Sequence, residues 1–330
     1  MTDTFGFLIF AFVAILAFEA VNGWTDAPNA IATVVSTRVL TPAAAVIMAG
    51  VFNLLGALSG TAVATTIGKD IVDIQAITLE TAVAAAIAVV AWSSFAAYLS
   101  LPTSESHGIV AGIAGAAVQA AGWDVVIWDG WTKVFTGVGT AVVGGFVGGF
   151  ILMLIVTWLL HRTNPSASRR LFGWLQLGSS AFMAWSHGTA DGQKAIGVMA
   201  MALAIYNDTP TKEFSVPLWV ILLGAGTLGL STALGGWRIM RTLGMRITQL
   251  ETYQGFAAET AAAATLTVTA RFGIPLSTTH TIGTAIMGVG ATRRISAVRW
   301  GIAYNIVVAW VLTFPICFGL GWIIALAIPD

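Results

Sequence analysis

Apolar stretches of about 20 residues follow one another along almost the whole chain, and most are long enough to cross the hydrocarbon core of a bilayer as a helix. Charged residues make up only 9% of the 330 residues, whereas an average soluble domain has about 25%. A soluble protein needs more surface charge than this, and a nucleic-acid-binding protein needs a basic face. The sequence therefore predicts an all-α polytopic membrane protein and excludes an ordinary soluble enzyme and a nucleic-acid partner.

The apolar pattern predicts about ten membrane segments. Two of them, 108–121 and 281–292, are short, and each follows a polar stretch that contains proline. We expect these two to be half-helices of broken spans or re-entrant hairpins. The first segment lacks an early basic residue and a cleavage site, so it is interpreted as a retained helix and not as a signal peptide. The predicted segments are 5–22, 43–68, 76–99, 108–121, 134–160, 174–205, 216–237, 255–272, 281–292 and 301–327.

Basic residues predict which ends of the segments face the cytoplasm, because cytoplasmic loops of membrane proteins are rich in Lys and Arg. The arginines that we place in the cytoplasm are Arg38, Arg162, Arg169, Arg170, Arg238, Arg241, Arg246, Arg293, Arg294 and Arg299. The acidic links that then lie outside carry Asp70, Asp73, Asp124, Asp129, Asp208 and Glu213. Both termini are predicted outside, provided that the two short segments count as crossings.

Two motifs occur twice, in the same order, half a chain length apart. The first motif is Gly23-Trp24-Thr25-Asp26-Ala27-Pro28-Asn29-Ala30, and its second copy is Gly188-Thr189-Ala190-Asp191-Gly192-Gln193-Lys194-Ala195. The second motif is Pro102-Thr103-Ser104-Glu105-Ser106-His107, and its second copy is Pro275-Leu276-Ser277-Thr278-Thr279-His280. An odd number of crossings per repeat makes the repeats inverted, an architecture that is typical of transporters. We expect two inverted five-segment repeats, 1–160 and 174–330, joined by a cytoplasmic linker at 161–173.

The duplicated aspartates predict a cation site. An Asp at the centre of a membrane helix costs roughly 2.5–3.5 kcal/mol, so it faces protein or water and has a function. Asp26 and Asn29 share one helical face, and their oxygens suit Na⁺, while a carboxylate alone suits a proton. We expect Gly23 and Pro28 to interrupt the helix and to free backbone carbonyls as further ligands. Helix capping at the membrane edge is the alternative for Asp26, and its duplication at Asp191 argues against it.

The hydroxyl-rich motifs predict an anion site. They place hydroxyls and free backbone N–H groups where we expect helices to begin, at His280 and at the start of segment 108–121, and such helix ends bind oxyanions. Plain N-capping is the alternative. The candidate anion ligands are Ser104, Ser106, Ser277, Thr278 and Thr279.

Other polar residues in or beside the predicted membrane segments are candidate proton carriers or supporting hydrogen-bond partners. They are Glu19, Glu105, His107, Lys194, Glu259 and His280. Lys194 stands where the first repeat has Asn29, and two interpretations of it stay open. Its ammonium group fills one cation site permanently, or it pairs with Asp191.

These motifs resemble those of the inorganic phosphate transporter (PiT) family, in which G-A-N-D-V-x-N-A and P-x-S-x-[ST]-H are each duplicated. The resemblance covers essentially the whole chain and continues through 254–259 and 298–301. It implies low-affinity, cation-coupled phosphate uptake across the cell membrane, with the aspartates binding cations and the Ser/Thr motifs binding phosphate. The Gly192-Gln193-Lys194 variant resembles a bacterial branch that is proton-coupled and carries metal–phosphate complexes.

The predicted function is therefore a symporter that imports inorganic phosphate with H⁺ or Na⁺ by alternating access, without a cofactor and with no metal beyond a transported Na⁺. A sulfate symporter of the same fold is the alternative, since members of the wider family move sulfate. An intramembrane hydrolase would need a motif such as H-E-x-x-H or G-x-S-x-G, and neither occurs in the chain. The expected partners are phosphate and the lipid bilayer, and a homodimer is a further expectation.

Overall fold

The computed structural model describes residues 5–232 and 240–328, which are helical except for short links and one isolated β-bridge between Val72 and Val126. The helices of the first half are α1 (Phe5–Ser36), α2 (Pro42–Ala57), α3 (Ala62–Lys69), α4 (Leu79–Tyr98), α5 (Glu105–Ala121) and α6 (Trp128–Leu160). Those of the second half are α7 (Pro165–His187), α8 (Gln193–Tyr206), α9 (Leu218–Ser231), α10 (Thr252–Arg271), α11 (Thr278–Ala291) and α12 (Trp300–Ala327). The end of predicted segment 216–237, Arg238 and the predicted outer ends of the repeats lie outside the described residues.

Several helices are suited to cross a membrane. Within the described ranges, α1, α4, α6 and α12 are long and apolar enough, and α2 with α3 passes the same test as one span bent by 70°. The remaining predicted segments form helices that are shorter or more polar. The prediction of an all-helical protein with several apolar spans and broken helices is confirmed.

The prediction of a helix break near Asp26 is wrong. Helix α1 is continuous from Phe5 to Ser36 and includes Gly23 and Pro28. Inside a membrane protein the neighbouring helices support such a proline, and a continuous helix keeps the backbone hydrogen-bonded. The first span is therefore longer than the predicted 5–22, and no backbone carbonyls are freed by a helix break there.

The corresponding interruption occurs in the second half. A π-helical turn, Gly188–Gly192, separates α7 from α8, so predicted segment 174–205 is two helices. Such π-turns are frequent at functional sites. The predicted linker 161–173 is also shorter than expected, because α7 begins at Pro165, and proline at the first helical position favours helix initiation.

The two short helices begin three residues earlier than predicted, α5 at Glu105 and α11 at Thr278. Each packs along a long helix of the other half: α5 along α12, and α11 along α6. Glycines allow this close packing, since a Cβ on Gly149 of α6 would lie 2.6 Å from the Ala285 carbonyl oxygen of α11. The reciprocal packing fixes where the two helix N-termini lie.

The arginine clusters lie together at one end of the molecule, which we call the arginine end. The Arg299 guanidinium donates to the Arg246 carbonyl at 3.4 Å, and Arg293 donates to the Tyr253 hydroxyl at 3.1 Å. Arg169 lies 3.9 Å from the carboxylate of Glu251, which precedes Tyr253.

The acidic links lie together at the opposite end, which we call the acidic end. Asp73 N–H donates to the Val125 carbonyl at 2.8 Å, and Gln75 donates to the Thr209 carbonyl at 2.9 Å. The long helix α6 connects the two ends, since it starts beside the Val125 link and stops just before Arg162. The predicted separation of basic and acidic links is thus reproduced among the described residues.

Each short helix pairs with the long helix that precedes it. The α4–α5 pair leaves and returns to the acidic end, and the α10–α11 pair leaves and returns to the arginine end. Such a pair returns the chain to the end from which it started, whether it counts as two crossings or as none. The predicted sidedness therefore does not depend on whether segments 102–121 and 275–292 cross.

Candidate functional site

The four repeated motifs converge in the interior of the helix bundle. The N-termini of α5 and α11 meet, with the Ser106 hydroxyl donating to the Leu276 carbonyl at 2.8 Å. The rings of His107 and His280 lie 4.6 Å apart, edge to face. Every candidate site residue named from the sequence is at most 3% exposed, so the structure places all of them in the protein interior.

Asp26, Asn29 and Thr279 form a closed triangle of hydrogen bonds. The Asn29 amide donates to Asp26 Oδ1 at 2.9 Å and to Thr279 Oγ1 at 2.8 Å. The Thr279 hydroxyl donates to Asp26 Oδ1 at 2.9 Å. Asp26 and Asn29 share a helical face as predicted. The anion motif of the second half therefore contacts the cation motif of the first half directly.

Asp191 is held by three side chains. Lys194 Nζ lies 2.7 Å from Oδ1, the Thr278 hydroxyl donates to Oδ2 at 2.8 Å, and His187 Nε2 lies 3.3 Å from Oδ2. His187 Nδ1 is 3.0 Å from Asn53 Oδ1, so α2 supports this cluster. Lys194 thus pairs with Asp191, and an ammonium held by this carboxylate is equally what the other interpretation, a permanently filled cation site, requires.

The two aspartates approach each other although they belong to different halves of the chain. One carboxylate oxygen from Asp26, one from Asp191 and a ring nitrogen of His187 all lie within 4.8 Å of one another. Carboxylate oxygens and an imidazole are ordinary ligands of small cations and divalent metals. The donor set therefore fits a bound cation between the two repeats.

The serines of the anion motifs are helix N-caps. Ser104 Oγ accepts the His107 N–H at 3.3 Å, and Ser277 Oγ accepts the His280 N–H at 3.2 Å. The capping alternative is therefore realised at both positions. A serine hydroxyl that accepts one hydrogen bond still has its own hydrogen to donate, so each cap can also contribute to an anion site.

The remaining acids of the site are only partly hydrogen-bonded. Thr25 donates to Glu105 Oε1 at 2.8 Å, and Asn22 donates to Glu19 Oε2 at 3.1 Å. Among the side-chain oxygens of Glu19, Asn22, Asn29 and Glu105, four buried ones have no hydrogen-bond donor in the described part of the chain: Glu19 Oε1, Asn22 Oδ1, Asn29 Oδ1 and Glu105 Oε2. Buried acceptors without donors are costly, and a proton or a cation at these oxygens would remove that cost.

The two histidines of the anion motifs lie in an aromatic environment. His107 stacks on Phe314 at 4.5 Å between ring centres, and His280 lies 3.8 Å from Trp310. Neither ring forms a hydrogen bond through its nitrogens with the residues that the structure describes. Both imidazoles therefore keep their hydrogen-bonding groups available beside the helix N-termini.

Glu259 belongs to a separate cluster. The hydroxyls of Thr33 and Ser179 donate to its two carboxylate oxygens, and the Gln176 amide donates at 3.3 Å. Within the described ranges no hydrogen bond joins Glu259 to Asp26 or Asp191. Its role here is to connect α1, α7 and α10.

Sequence reasoning missed part of the site. Thr25 adjoins Asp26 in the repeated motif and Asn22 directly precedes the motif, so their positions are a usable signal. His187 lies four residues before Asp191, and this spacing, which places both on one helical face, is a further usable signal. Ser179 and Gln176 lie in no repeated motif, so only the packing of α7 on α10 brings them to Glu259.

Comparison with known proteins decides the family. A sequence model described as the phosphate transporter family matches residues 22–321, which include all four repeated motifs. The chain belongs to this family. It is an inorganic phosphate transporter of the membrane and not an enzyme, and the family resemblance seen in its motifs is confirmed.

The sequence similarity between this transporter and its relatives covers nearly the full length of the chain. The probable low-affinity inorganic phosphate transporter of Rhizobium meliloti (strain 1021) is 42% identical over 95% of this chain and 94% of its own length. The probable low-affinity inorganic phosphate transporter of Bacillus subtilis (strain 168) is 39% identical over 94% of this chain and 93% of its own length. A solved structure titled as the sodium-dependent phosphate transporter covers 99% of both chains with a TM-score of 0.91 at 24% identity. At that identity the likeness shows the shared fold.

Proposed function

We propose that this phosphate transporter is a secondary active symporter that imports inorganic phosphate across the cell membrane together with H⁺ or Na⁺, by alternating access. One observation carries the proposal: Thr278 and Thr279, neighbours in one anion motif, each donate a hydrogen bond to the aspartate of a different cation motif. In a site built in this way, the binding of the anion is coupled to the binding of the cation.

Charge balance supports symport. The carboxylates of Glu19, Asp26, Glu105 and Asp191 are buried together with a single lysine ammonium, that of Lys194. Burying a charge without a partner costs on the order of several kcal/mol of desolvation free energy per ion. A phosphate anion adds more negative charge to the same interior. Protons or cations must therefore accompany phosphate into the site.

The threonines provide a route for coupling. In the conformation described, their hydroxyl hydrogens are donated to the carboxylates of Asp26 and Asp191. A proton or cation on either carboxylate competes with that hydrogen bond and releases the hydroxyl to the anion. Phosphate binding is then favoured after cation binding, which is the order that prevents phosphate from crossing alone.

The proposed roles follow the sequence assignment. The proposed cation ligands are Asp26, Asn29 and Asp191. The proposed phosphate ligands are Ser104, Ser106, Ser277, Thr278 and Thr279. The proposed proton carriers or supporting groups are Glu19, Glu105, His107, Lys194 and His280, with Glu259 as a more distant one. A metal–phosphate complex is a proposed form of the substrate, supported by the approach of Asp26, His187 and Asp191.

The proposed architecture is two inverted five-segment repeats, 1–160 and 174–330, with both termini outside. The exchange of partners, α5 with α12 and α11 with α6, supports it, because each half contributes one short helix and one long helix to the same kind of contact, as inverted repeats would. The separated arginine and acidic ends support the sidedness. The homodimer stays a prediction.

Uptake of ³²P-phosphate into proteoliposomes tests the function, with a Na⁺ gradient and a pH gradient imposed one at a time. We expect accumulation to follow one of the two gradients and to resist a tenfold excess of unlabelled sulfate. Uptake that is indifferent to both gradients would disprove symport. Equal competition by sulfate would favour the alternative of a sulfate symporter.

A further inference from the structure

The two cation motifs have the same framework but differ in one ligand. Each has an aspartate, a residue three positions later on the same helical face, and a threonine from the motif at 275–280 that donates to the aspartate. The residue three positions later is Asn29 in the first half and Lys194 in the second half. An amide and an ammonium therefore occupy equivalent places.

The two residues also occupy equivalent positions relative to their aspartates. The Asn29 amide nitrogen is 2.9 Å from Asp26 Oδ1, and the Lys194 ammonium nitrogen is 2.7 Å from Asp191 Oδ1. Lys194 is fully buried, and Asp191 is its only ion-pair partner in the described part of the chain. The ammonium is therefore bound by the carboxylate that would otherwise bind a mobile cation.

The two aspartate sites differ in the oxygen ligands that they leave available to a mobile cation. Asp191 is contacted on Oδ1 by Lys194 and on Oδ2 by Thr278 and His187. Beside Asp26, the carbonyl oxygen of Asn29 has no donor among the described residues and can serve as a second ligand. The first site therefore retains one unsatisfied oxygen ligand, whereas the second has a built-in positive charge.

We propose that the Lys194 ammonium is a tethered counter-ion that fills the second-half cation site, so that only the first-half site at Asp26 exchanges a cation with solution. The proposal rests on the proposed function. A tethered charge neutralises Asp191 in every state of the cycle and is never transported. The transporter then carries one cation fewer per phosphate than a relative with an open ligand at this position.

Cation binding to purified protein tests the proposal without measuring transport. The Asp26→Asn variant removes the first site, and the Asp26→Asn/Lys194→Asn variant also opens the second. In the double variant Asp191 and the new asparagine reproduce the framework of Asp26 and Asn29. We expect exchange of choline chloride for NaCl to raise the unfolding temperature of the double variant by about 3 °C or more, because an ion that binds only the folded state stabilises it.

The single variant Asp26→Asn should show no such rise. A matched control is Asp26→Asn/Lys133→Asn, which breaks the partly exposed pair of Lys133 and Asp70 at the acidic end, and it should also show none. No rise for the Lys194 double variant, or the same rise for all three proteins, would overturn the proposal.

Transport gives a second measurement should the double variant fail to fold. In proteoliposomes Lys194→Arg keeps a tethered charge, while Lys194→Met leaves Asp191 without a counter-ion, so uptake by Lys194→Met should be at least tenfold lower than uptake by Lys194→Arg. Equal uptake by these two variants would overturn the tethered-charge proposal alone. No phosphate uptake by the wild-type protein would instead overturn the proposed function, so the two failures are distinguishable.

Discussion

At the scale of the residue, the structure separates two aspartates that look equivalent in the sequence. Asp26 receives hydrogen bonds from neutral groups, Asn29 and Thr279, whereas Asp191 forms a buried ion pair with Lys194. The sequence predicts both acids and their duplication, because an intramembrane carboxylate in a repeated motif is a strong signal. It leaves the pairing of Lys194 open, because only the packed helices show which acceptor the ammonium reaches.

This difference predicts different outcomes for two similar substitutions. Asp26→Asn should abolish phosphate uptake and leave the unfolding temperature nearly unchanged, since its hydrogen-bond donors, Asn29 and Thr279, are neutral and no cationic side chain forms an ion pair with it among the described residues. Asp191→Asn should abolish uptake and also destabilise the protein by about 3–5 kcal/mol, because it leaves the Lys194 ammonium buried without a partner. Thermal unfolding and ³²P uptake measure both effects. Equal unfolding temperatures for the two variants would contradict the structural difference.

Ser277 combines a helix cap with a proposed phosphate ligand, and the two roles can be separated. Ser277→Ala should raise the phosphate concentration for half-maximal uptake about tenfold, a loss of about 1.4 kcal/mol that is typical of one hydrogen bond to a charged group. Thr41 caps α2 at an exposed position outside the repeated motifs. Thr41→Ala should cost a similar cap energy of about 1 kcal/mol without changing half-saturation, and an equal change in both variants would argue for capping alone.

At the scale of the element, the apolar pattern predicts most helices but not how they are broken. Pro28 and Gly23 predict a helix break, yet α1 is continuous. The surrounding helices stabilise a proline that would be unfavourable in an isolated helix. The π-turn that contains Asp191 has no clear sequence signature. The early start of α5 and α11 follows from capping by Ser104 and Ser277, a signal that is present in the sequence.

The glycines of α6 provide a test of close helix packing. A Cβ at Gly149 would lie 2.6 Å from a backbone oxygen of α11, whereas a Cβ at Gly139 on the same helix would meet nothing within 4 Å. Gly149→Ala should displace α11, which carries Thr278 and Thr279, and so lower both the unfolding temperature and phosphate uptake. Gly139→Ala is the matched control and should leave both unchanged. Similar behaviour of the two variants would contradict the described contact between α6 and α11.

At the scale of the whole molecule, charge and duplication predict much of the arrangement. The arginine clusters and the acidic links lie at opposite ends, as the distribution of Lys and Arg indicates. The pairing of α4 with α5 and of α10 with α11 into hairpins does not follow from hydropathy. A short helix that crosses the membrane and a short helix that returns to the side from which the chain entered have the same composition. Only the packing of the helix distinguishes the two cases.

Cysteine labelling in cells tests the sidedness. The single native cysteine, Cys317, is buried, so introduced cysteines report alone. Asp124→Cys at the acidic end should react with a membrane-impermeant maleimide in intact cells. Ser296→Cys at the arginine end should react only after permeabilisation. The reverse pattern would show that the arginine end faces outward and would overturn the proposed orientation.

The coupling of cation binding to phosphate binding through Thr278 and Thr279 is the central proposal. Equilibrium binding of ³²P-phosphate to the purified protein, titrated across Na⁺ concentration and across pH, measures this coupling directly. By thermodynamic linkage, a cation that improves phosphate binding is itself bound more tightly with phosphate. We expect the dissociation constant for phosphate to fall at least tenfold as one of the two cations is raised. A phosphate affinity that stays constant across both titrations would contradict the account.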